Sequence, residues 1–330
     1  MSGVRQETVS ADEAGMRLDR WFQSRFPGLG FGRLQKLMRT GQVRVDGGRV
    51  KPATRVEEGQ VVRVPPIDDE AGENRPKKAD NADASALRKM ILYEDDWLYV
   101  FNKPFGLATQ GGPGLTRHVD GMLEALRDAK GQKPRLVHRL DRDTSGCLVV
   151  AKTRKAASEL ARTFRSRSAR KIYWALVYGV PSPAQGKISM WLKKTSTPDG
   201  EKMVPAQHGD DGADHSTTYY SVIENAARKA AWVSLKPVTG RTHQLRVHMQ
   251  AIGHPIIGDP KYFDVENWSL PGGIQNRLHL LARRISLPHP AGGRIDVTAP
   301  LPPHMQQSWA VFGLDATRYD AEAELEEVGE

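Results

Sequence analysis

The sequence predicts an α+β protein with a small α+β module at residues 14–66 and a large domain at residues 89–314. A chain of 330 residues with 39% hydrophobic content is long enough to bury the cores of two domains. In the large domain, long and irregular connections between predicted strands favour a mixed, largely antiparallel sheet over an alternating parallel fold. Residues 67–88 carry large apolar residues only at their ends, which predicts a flexible linker, and residues 315–330 form an acidic tail.

The pattern of the small module is typical of two helices followed by short strands. Leu18, Trp21 and Phe22 fall on one face of the first helix. The second helix turns its apolar side chains inward and three basic side chains outward, namely Arg33, Lys36 and Arg39. Asp46-Gly47 between apolar residues predicts a hairpin, and a further strand is predicted at residues 60–64.

Periodic apolar positions predict the elements of the large domain. Helices are expected near residues 117–129, 155–167 and 241–252. Strands are expected near residues 90–93, 97–101, 147–152, 171–178, 217–224 and 231–237. Residues 195–216 are polar and show no core positions, so they are predicted to form a long loop that projects from the body.

Basic residues exceed acidic ones, and the formal net charge is +9. Residues 33–63 hold eight Lys or Arg against three acids, and residues 152–171 hold eight against one. This excess indicates a polyanionic partner, although an anionic membrane would attract the same charge. Because no apolar run of about 18 residues is present and the first residues lack an apolar signal core, we expect a cytoplasmic protein without membrane contact. The single cysteine, Cys147, excludes an internal disulfide and a cysteine metal site.

The strongest candidate for chemistry is the string His-Arg-Leu-Asp-Arg-Asp-Thr-Ser-Gly at residues 138–146. It leads directly into an apolar run of strand length, so a charged loop precedes a buried strand. Such a junction can hold the carboxylate of Asp141 rigidly at the edge of a cleft. A lone Arg-Leu-Asp would more often be a helix cap or a surface ion pair.

Three further patches accompany this string, and the four together resemble pseudouridine synthases of the large-subunit ribosomal RNA type. The companions are residues 101–106, residues 170–179 and residues 239–259, in the same order as in that family. The resemblance implies that Asp141 is the catalytic residue, that Tyr173 is the active-site tyrosine and that Arg246 pairs with the aspartate. It also implies the family's fold, no cofactor, and large-subunit ribosomal RNA as partner, either naked or within an assembly intermediate. A monomer is expected.

The small module resembles the S4 RNA-binding domain, on Arg17-Leu18-Asp19 and on residues 40–47. The two resemblances imply a set of basic residues that contact RNA, namely Arg139, Lys103, Arg17, Arg33, Lys36, Arg39 and Arg44. A small module whose charges are merely solvated would show a similar pattern.

The chemistry of the family requires these residue types. Converting uridine to pseudouridine breaks the bond from C1′ to N1 and joins C1′ to C5, and a carboxylate either attacks the sugar or removes a sugar proton. Asp141 must be ionised, which a nearby guanidinium favours. Tyr173 can lie against the uracil ring and handle a proton near C5. The nucleotide must be extruded from its helix, and Arg139 is expected beside it.

Two other functions remain open at this point. A ribosome assembly factor with a silent site would carry the same basic surfaces, and only product analysis separates it from an enzyme. Asp141 and Asp143 could form a glycosidase pair, although two positions in one turn seldom hold the required separation. His138, His243 and His248 lack metal-ligand spacing, so structural hydrogen bonding is expected and no metal is predicted.

Overall fold

The computed structural model describes residues 3–11, 13–26, 29–67, 81–112, 115–129, 131–197, 200–226, 229–263, 265 and 272–319. The chain divides into two compact units. The small unit comprises Met1–Ala84 and Leu123–Pro134, and the large unit comprises Ser85–Met122 and Arg135–Glu330. No helix in these described ranges has the length and apolar character needed to cross a membrane.

The small unit contains two helices and a four-stranded antiparallel sheet. The helices are α1 (Leu18–Arg25) and α2 (Phe31–Arg39), and the strands are β1 (Arg5–Thr8), β2 (Arg44–Val45), β3 (Gly48–Arg49) and β4 (Val61–Val64). The strand order is β1-β4-β2-β3. Strand β1 lies before the predicted start of the module at residue 14. It was not predicted because its four residues are polar and only partly buried.

Part of the predicted linker is helical. Helix α3 (Asn81–Lys89) buries Leu87 completely, so the prediction of a flexible segment is wrong for residues 81–88. Its one large apolar side chain lies at the end of the segment and was not recognised as a packing position. Residues 68–80 of the linker and residues 320–330 of the acidic tail lie outside the described residues.

The large unit is built on an eleven-stranded sheet. Its strands are β5 (Ile91–Glu94), β6 (Leu98–Lys103), β7 (Arg135–Leu136), β8 (Ser145–Ala151), β9 (Arg170–Tyr178), β10 (Gln185–Thr197), β11 (Gly200–Ala206), β12 (Asp214–Ala226), β13 (Ala230–Pro237), β14 (Leu280–Pro288) and β15 (Arg294–Thr298). The main order is β11-β10-β12-β13-β9-β14-β8-β6-β5, with β15 beside β14 and β7 beside β8. Only the pairing of β14 with β8 is parallel among the described strands, so the predicted mixed, largely antiparallel sheet is confirmed.

The described residues of the large unit also form the helices α4 (Val119–Met122), α5 (Arg154–Arg165), α6 (Gln244–Ala251) and α7 (Pro303–Phe312). A 3-10 turn at Leu123–Leu126 replaces the second half of the helix predicted at 117–129. Side chains of β9 alternate between two cores, because successive strand residues point to opposite faces. Trp174 and Leu176 enter one core, while Tyr173 lies on the other face, where α6 packs. This alternation places Tyr173 on the face that carries Arg246.

The predicted loop at residues 195–216 is largely a strand pair. Strands β10 and β11 form an antiparallel hairpin, and Met203 of β11 packs against Leu192, Val247 and Tyr262. The prediction of a projecting loop without packing positions is therefore wrong. The apolar residues of β11 form one short run that follows Glu201 and Lys202 and contains Pro205, so no periodicity identified them.

Candidate active site

One cleft of the large unit brings together the predicted catalytic residues. Its lining includes Arg139, Asp141, Tyr173 and Arg246. Arg139 and Arg246 are more than one hundred positions apart in the chain. The cleft holds about 610 Å³ of empty space, part of it open to solvent.

The loop that carries Asp141 joins β7 to β8 and is held by hydrogen bonds from a neighbouring segment. The hydroxyl of Thr109 donates to the Leu140 carbonyl at 2.7 Å and accepts from the Leu140 amide at 3.2 Å. The Thr144 amide donates to the Asp141 carbonyl at 3.1 Å. The side chain of Asp141 remains 21% exposed at the cleft wall. The carboxylate is therefore accessible while its backbone is held.

Gly146 forms the junction between this loop and β8. Its φ is +107°, and an added Cβ would overlap the backbone carbonyl of Ala282, which pairs with it across the parallel ladder. Only glycine permits both the backbone conformation and the close approach of β14. The Thr-Ser-Gly end of the motif is thus explained by packing.

Lys103 lies beneath the loop and does not reach the surface. Its ammonium donates to the carbonyls of Pro104, Leu107 and Arg142 at 3.0, 2.8 and 2.9 Å. Burial lowers the pKa of Lys103 to about 7, against the pull of Asp143 and Asp141. The prediction that Lys103 contacts RNA is wrong, because its side chain is fully buried and its three donors are taken.

Arg246 is buried on α6 and makes its closest ion pair with Asp259 rather than with Asp141. Its Nε and Nη2 donate to the two oxygens of Asp259, both at 2.6 Å. Its Nη1 lies 3.8 Å from Oδ2 of Asp141. Burial works against the charge, but the hydrogen-bonded Asp259 outweighs it and raises the pKa of Arg246. The guanidinium is thus permanently charged and oriented toward the aspartate.

Asp259 was not singled out from the sequence, although it lies within the fourth patch. It follows Gly258, whose φ is +73° and whose Cα lies against the backbone of Arg277. Its Oδ1 also accepts the amides of Lys261 and Tyr262 at 2.9 and 3.1 Å. An aspartate after a glycine turn is a usable signal for such a capped carboxylate.

Two more residues near Asp141 were missed as parts of the site. The Nε2 atom of His243 lies 3.9 Å from Oδ2 of Asp141, and its Nδ1 lies 2.8 Å from the hydroxyl of Tyr262. Gln244 uses its amide group to join the cleft loop to β12, accepting from Thr239 at 2.6 Å and donating to the Thr217 carbonyl at 2.9 Å. These contacts fix the start of α6 against the sheet.

Tyr173 lines the cleft from β9, where it is partly buried. Burial, with a smaller effect of the Asp141 charge, raises the pKa of its phenol well above the usual range. The hydroxyl therefore stays protonated near neutral pH and can donate a hydrogen bond, and its ring presents a flat face to the cleft.

The other predicted histidines make structural hydrogen bonds, as expected. His138 Nε2 accepts from the Val149 amide at 2.8 Å, and its ring stacks on Phe164. His248 Nε2 lies 2.7 Å from the Ser216 hydroxyl. Within the described ranges, no group of three or more His, Cys, Asp or Glu side chains is arranged to hold a metal ion.

The basic residues predicted in the small unit have different surroundings. Arg33, Lys36 and Arg39 are exposed on α2. Arg17 is paired with Asp19 at 2.7 Å, and Arg44 donates to the carbonyls of Gly41 and Gly47, both at 3.2 Å. Their contact with RNA stays a prediction.

Comparison with known proteins decides the family. A model of the RNA pseudouridylate synthase family matches residues 97–251. Ribosomal large subunit pseudouridine synthase C of Pasteurella multocida is 39% identical over 311 residues, which cover 92% of this chain and 92% of the relative. The chain belongs to the RNA pseudouridylate synthase family.

Other members of the pseudouridylate synthase family show the same likeness. Ribosomal large subunit pseudouridine synthase C of Escherichia coli strain K12 is 39% identical over 296 residues, 88% of this chain and 91% of the relative. The solved structure of human RNA pseudouridylate synthase domain containing 4 superposes with a TM-score of 0.60 at 31% identity, over 71% of this chain and 97% of that one. As a pseudouridine synthase, the chain is an isomerase with the mixed sheet of its family.

Proposed function

We propose that this pseudouridine synthase isomerises specific uridines in the RNA of the large ribosomal subunit, with Asp141 as its catalytic carboxylate. The convergence of Asp141, Tyr173 and Arg246 in one cleft carries the proposal. Support for the substrate comes from relatives that are 39% identical over most of the chain and are named for that RNA. Because the substrate is ribosomal, we place the enzyme in the cytoplasm.

In the proposed reaction, Asp141 acts on the sugar of the bound uridine. The bond between C1′ and N1 breaks, the uracil turns, and C1′ bonds to C5; the proton on C5 leaves and N1 gains one, so no atom is lost. Both direct attack at C1′ and removal of a sugar proton require an ionised carboxylate. Arg246 supports that form through its positive charge, and Asp259 keeps the guanidinium in place.

Tyr173 supports the turned base. Its protonated hydroxyl is suited to donate a hydrogen bond to the uracil, and its ring can pack against the base. Arg139 lines the same cleft two positions before Asp141, where it can occupy the space beside an extruded nucleotide. A closed cleft also keeps water from the glycosyl centre, where hydrolysis would release free uracil.

A basic groove continues from the cleft and offers a path for the RNA strand. We define the basic groove by Arg139, Arg165, Arg167, Lys171 and Arg241. It encloses about 1140 Å³ of open space and shares Arg139, Lys171 and Arg241 with the cleft. Because phosphates dominate the affinity of proteins for nucleic acids, we place the backbone next to the target uridine in this groove.

Charge removal in the basic groove tests this path. Arg165→Gln is expected to weaken binding of every RNA sequence alike. It should also reduce the slope of the logarithm of affinity against the logarithm of salt concentration by about one. Arg154→Gln is the matched control, since Arg154 is also exposed on α5 but does not line the groove. Equal affinities and salt slopes for the two variants, measured by fluorescence anisotropy, would remove the groove from the RNA path.

The small unit is proposed to grip RNA through α2, as an S4-like domain would. Arg33, Lys36 and Arg39 are exposed there, and Lys36 and Arg39 border a shallow depression with Lys51. We propose the predicted residues 14–66 as the S4-like domain, extended by β1, which pairs with β4, and residues 89–314 as the catalytic domain. Replacing Lys36 and Arg39 with Gln is expected to reduce RNA affinity while leaving turnover at saturating RNA unchanged.

Pseudouridine mapping tests the substrate. Ribosomal RNA from cells with and without this protein is compared, with each site read by chemical labelling. Loss of modification at one or a few large-subunit uridines, restored by the wild-type gene, is expected. An unchanged map together with a defect in subunit assembly would favour a silent assembly factor and contradict the proposal.

A further inference from the structure

We propose that His243 is a positioning residue whose Nε2–H, together with Nη1 of Arg246, holds Oδ2 of Asp141 and thereby presents Oδ1 to the target sugar. The inference rests on the proposed catalytic role of Asp141. It assigns separate tasks to the two oxygens of the carboxylate, one held by the protein and one facing the nucleotide.

The distances to Asp141 support this division. For both neighbours the nearest carboxylate atom is Oδ2, at 3.8 Å from Nη1 of Arg246 and at 3.9 Å from Nε2 of His243. Asp259 takes the Nε hydrogen and one Nη2 hydrogen of Arg246, and Nη1 is the nitrogen nearest to Asp141. These gaps are longer than hydrogen bonds, and such contacts commonly tighten only when substrate is bound.

In the proposed arrangement, the proton of the neutral His243 ring lies on Nε2. The Met203 amide donates to the Tyr262 hydroxyl oxygen at 2.9 Å, which leaves the hydroxyl hydrogen available to Nδ1 of His243 at 2.8 Å, and in the proposed arrangement the hydroxyl donates there. Nδ1 is then the acceptor, and the single proton of the neutral ring is on Nε2. Burial lowers the pKa of His243 and raises that of Tyr262 to about 12, which agrees with neutral rings for both.

The backbone of His243 is held in an uncommon conformation. Its φ is +52°, in the left-handed region that a residue other than glycine adopts only when the surroundings impose it. On one side the Arg241 amide donates to Oε1 of Gln244 at 3.1 Å, and on the other the Tyr262 hydroxyl lies 2.8 Å from Nδ1 of His243. This conformation turns the imidazole toward Asp141 at the start of α6.

The β10–β11 hairpin forms the outer end of this chain of contacts. Besides the Met203 amide, Lys202 lies over the Tyr262 ring at 4.9 Å, and Lys261 donates to the Glu201 carbonyl at 2.7 Å. The hairpin therefore orients Tyr262, which orients His243, which holds the catalytic aspartate. This gives the β10–β11 hairpin a role in aligning the site.

Three variants test the assignment by single-turnover assays at saturating RNA. His243→Leu is expected to slow turnover about 100-fold without loss of RNA affinity, since a misplaced catalytic group costs about that much. His243→Gln can place an N–H near the position of Nε2, and it is expected to turn over about tenfold faster than His243→Leu. Tyr262→Phe removes the hydroxyl at Nδ1 of His243, so nothing fixes which ring nitrogen carries the proton, and turnover is expected to slow about 10-fold.

Controls separate positioning from folding and from the proposed function. Tyr220→Phe removes a hydroxyl that donates to the Pro183 carbonyl away from the cleft, and it should turn over as the wild type does. Wild-type turnover in both His243→Leu and Tyr262→Phe would overturn this inference while leaving Asp141 catalytic. Equal loss in His243→Gln and His243→Leu, at unchanged melting temperature, would also overturn it. Product formation by Asp141→Asn would instead overturn the proposed function.

Discussion

Arg246 depends on a carboxylate thirteen positions further along the chain. The motif resemblance was sufficient to select Asp141, Tyr173 and Arg246, because each belongs to a patch with a recognisable pattern. The bidentate pair of Arg246 with Asp259 exists only after α6 and the following turn have packed. Sequence spacing alone carries no information about that pairing, so the contact of Arg246 with Asp141 was predicted while its closer partner, Asp259, was missed.

Asp259→Asn tests how far the site depends on this pair. A buried guanidinium without its carboxylate costs roughly 3–5 kcal/mol of folding stability. The freed arginine is expected to turn toward Asp141 and slow turnover about 100-fold. Denaturant unfolding and single-turnover assays measure the two effects.

Asp296→Asn is a matched control, because Asp296 also holds an arginine through two bonds of 2.6 Å but is 38% exposed and lies outside the cleft. It is expected to lower stability, because Arg284 is itself only 7% exposed, but to leave turnover unchanged. Wild-type turnover by Asp259→Asn would show that Arg246 needs no orienting partner.

Lys103, at the end of β6, shows that a positive charge alone does not predict an exposed side chain. Lys103 was assigned to RNA on the family resemblance, and its position at the end of a strand did not reveal its surroundings. The sheet register places Lys103 opposite Gly146, beneath the loop that carries Asp141. There its ammonium binds three carbonyls, and so the lysine stabilises the loop that the sequence did identify.

Thr109→Val tests the clamp on this loop with little change of shape. The substitution removes both hydrogen bonds to Leu140, the residue before Asp141, and buries an unpaired carbonyl and amide. A stability loss of roughly 1–3 kcal/mol is expected, together with slower turnover at unchanged RNA affinity.

Thr163→Val is its control, because that hydroxyl bonds within α5 to the Glu159 carbonyl. If Thr109→Val and Thr163→Val turned over equally fast, the clamp would have no part in placing the carboxylate.

At the scale of the whole molecule, the α+β architecture followed from the sequence because apolar runs of strand length are joined by long, irregular connections. The parallel pair β8–β14 joins segments about 135 positions apart, and no local pattern specifies it. The β10–β11 hairpin and α3 were missed because each buries few apolar side chains. Elements that pack with one or two residues leave little periodicity to detect.

Buried histidines predict acid sensitivity of the large unit. Burial lowers the pKa of His138 to about 3 and those of His248 and His279 to about 4, from the ordinary histidine value of about 6.5. Between the folded-state pKa and the unfolded pKa of about 6.5, the unfolded chain binds more protons than the folded one. The contribution to stability is therefore complete above about pH 6.5 and falls as the pH is lowered. Each histidine lowers the free energy of unfolding by up to roughly 1.4 kcal/mol per pH unit.

His138→Gln tests this dependence, because the amide oxygen can still accept from Val149 but does not titrate. The variant is expected to lose less stability than the wild type between pH 7 and pH 5, as measured by chemical denaturation. An identical slope in both proteins would exclude His138 as a source of acid sensitivity.

The most direct test of the account is pseudouridine formation by Asp141→Asn on transcribed large-subunit ribosomal RNA. Asparagine keeps the shape of the side chain but can neither attack the sugar nor accept its proton. We expect RNA affinity and melting temperature equal to those of the wild type, with no pseudouridine formed. Product formed at a substantial fraction of the wild-type rate would contradict the central claim.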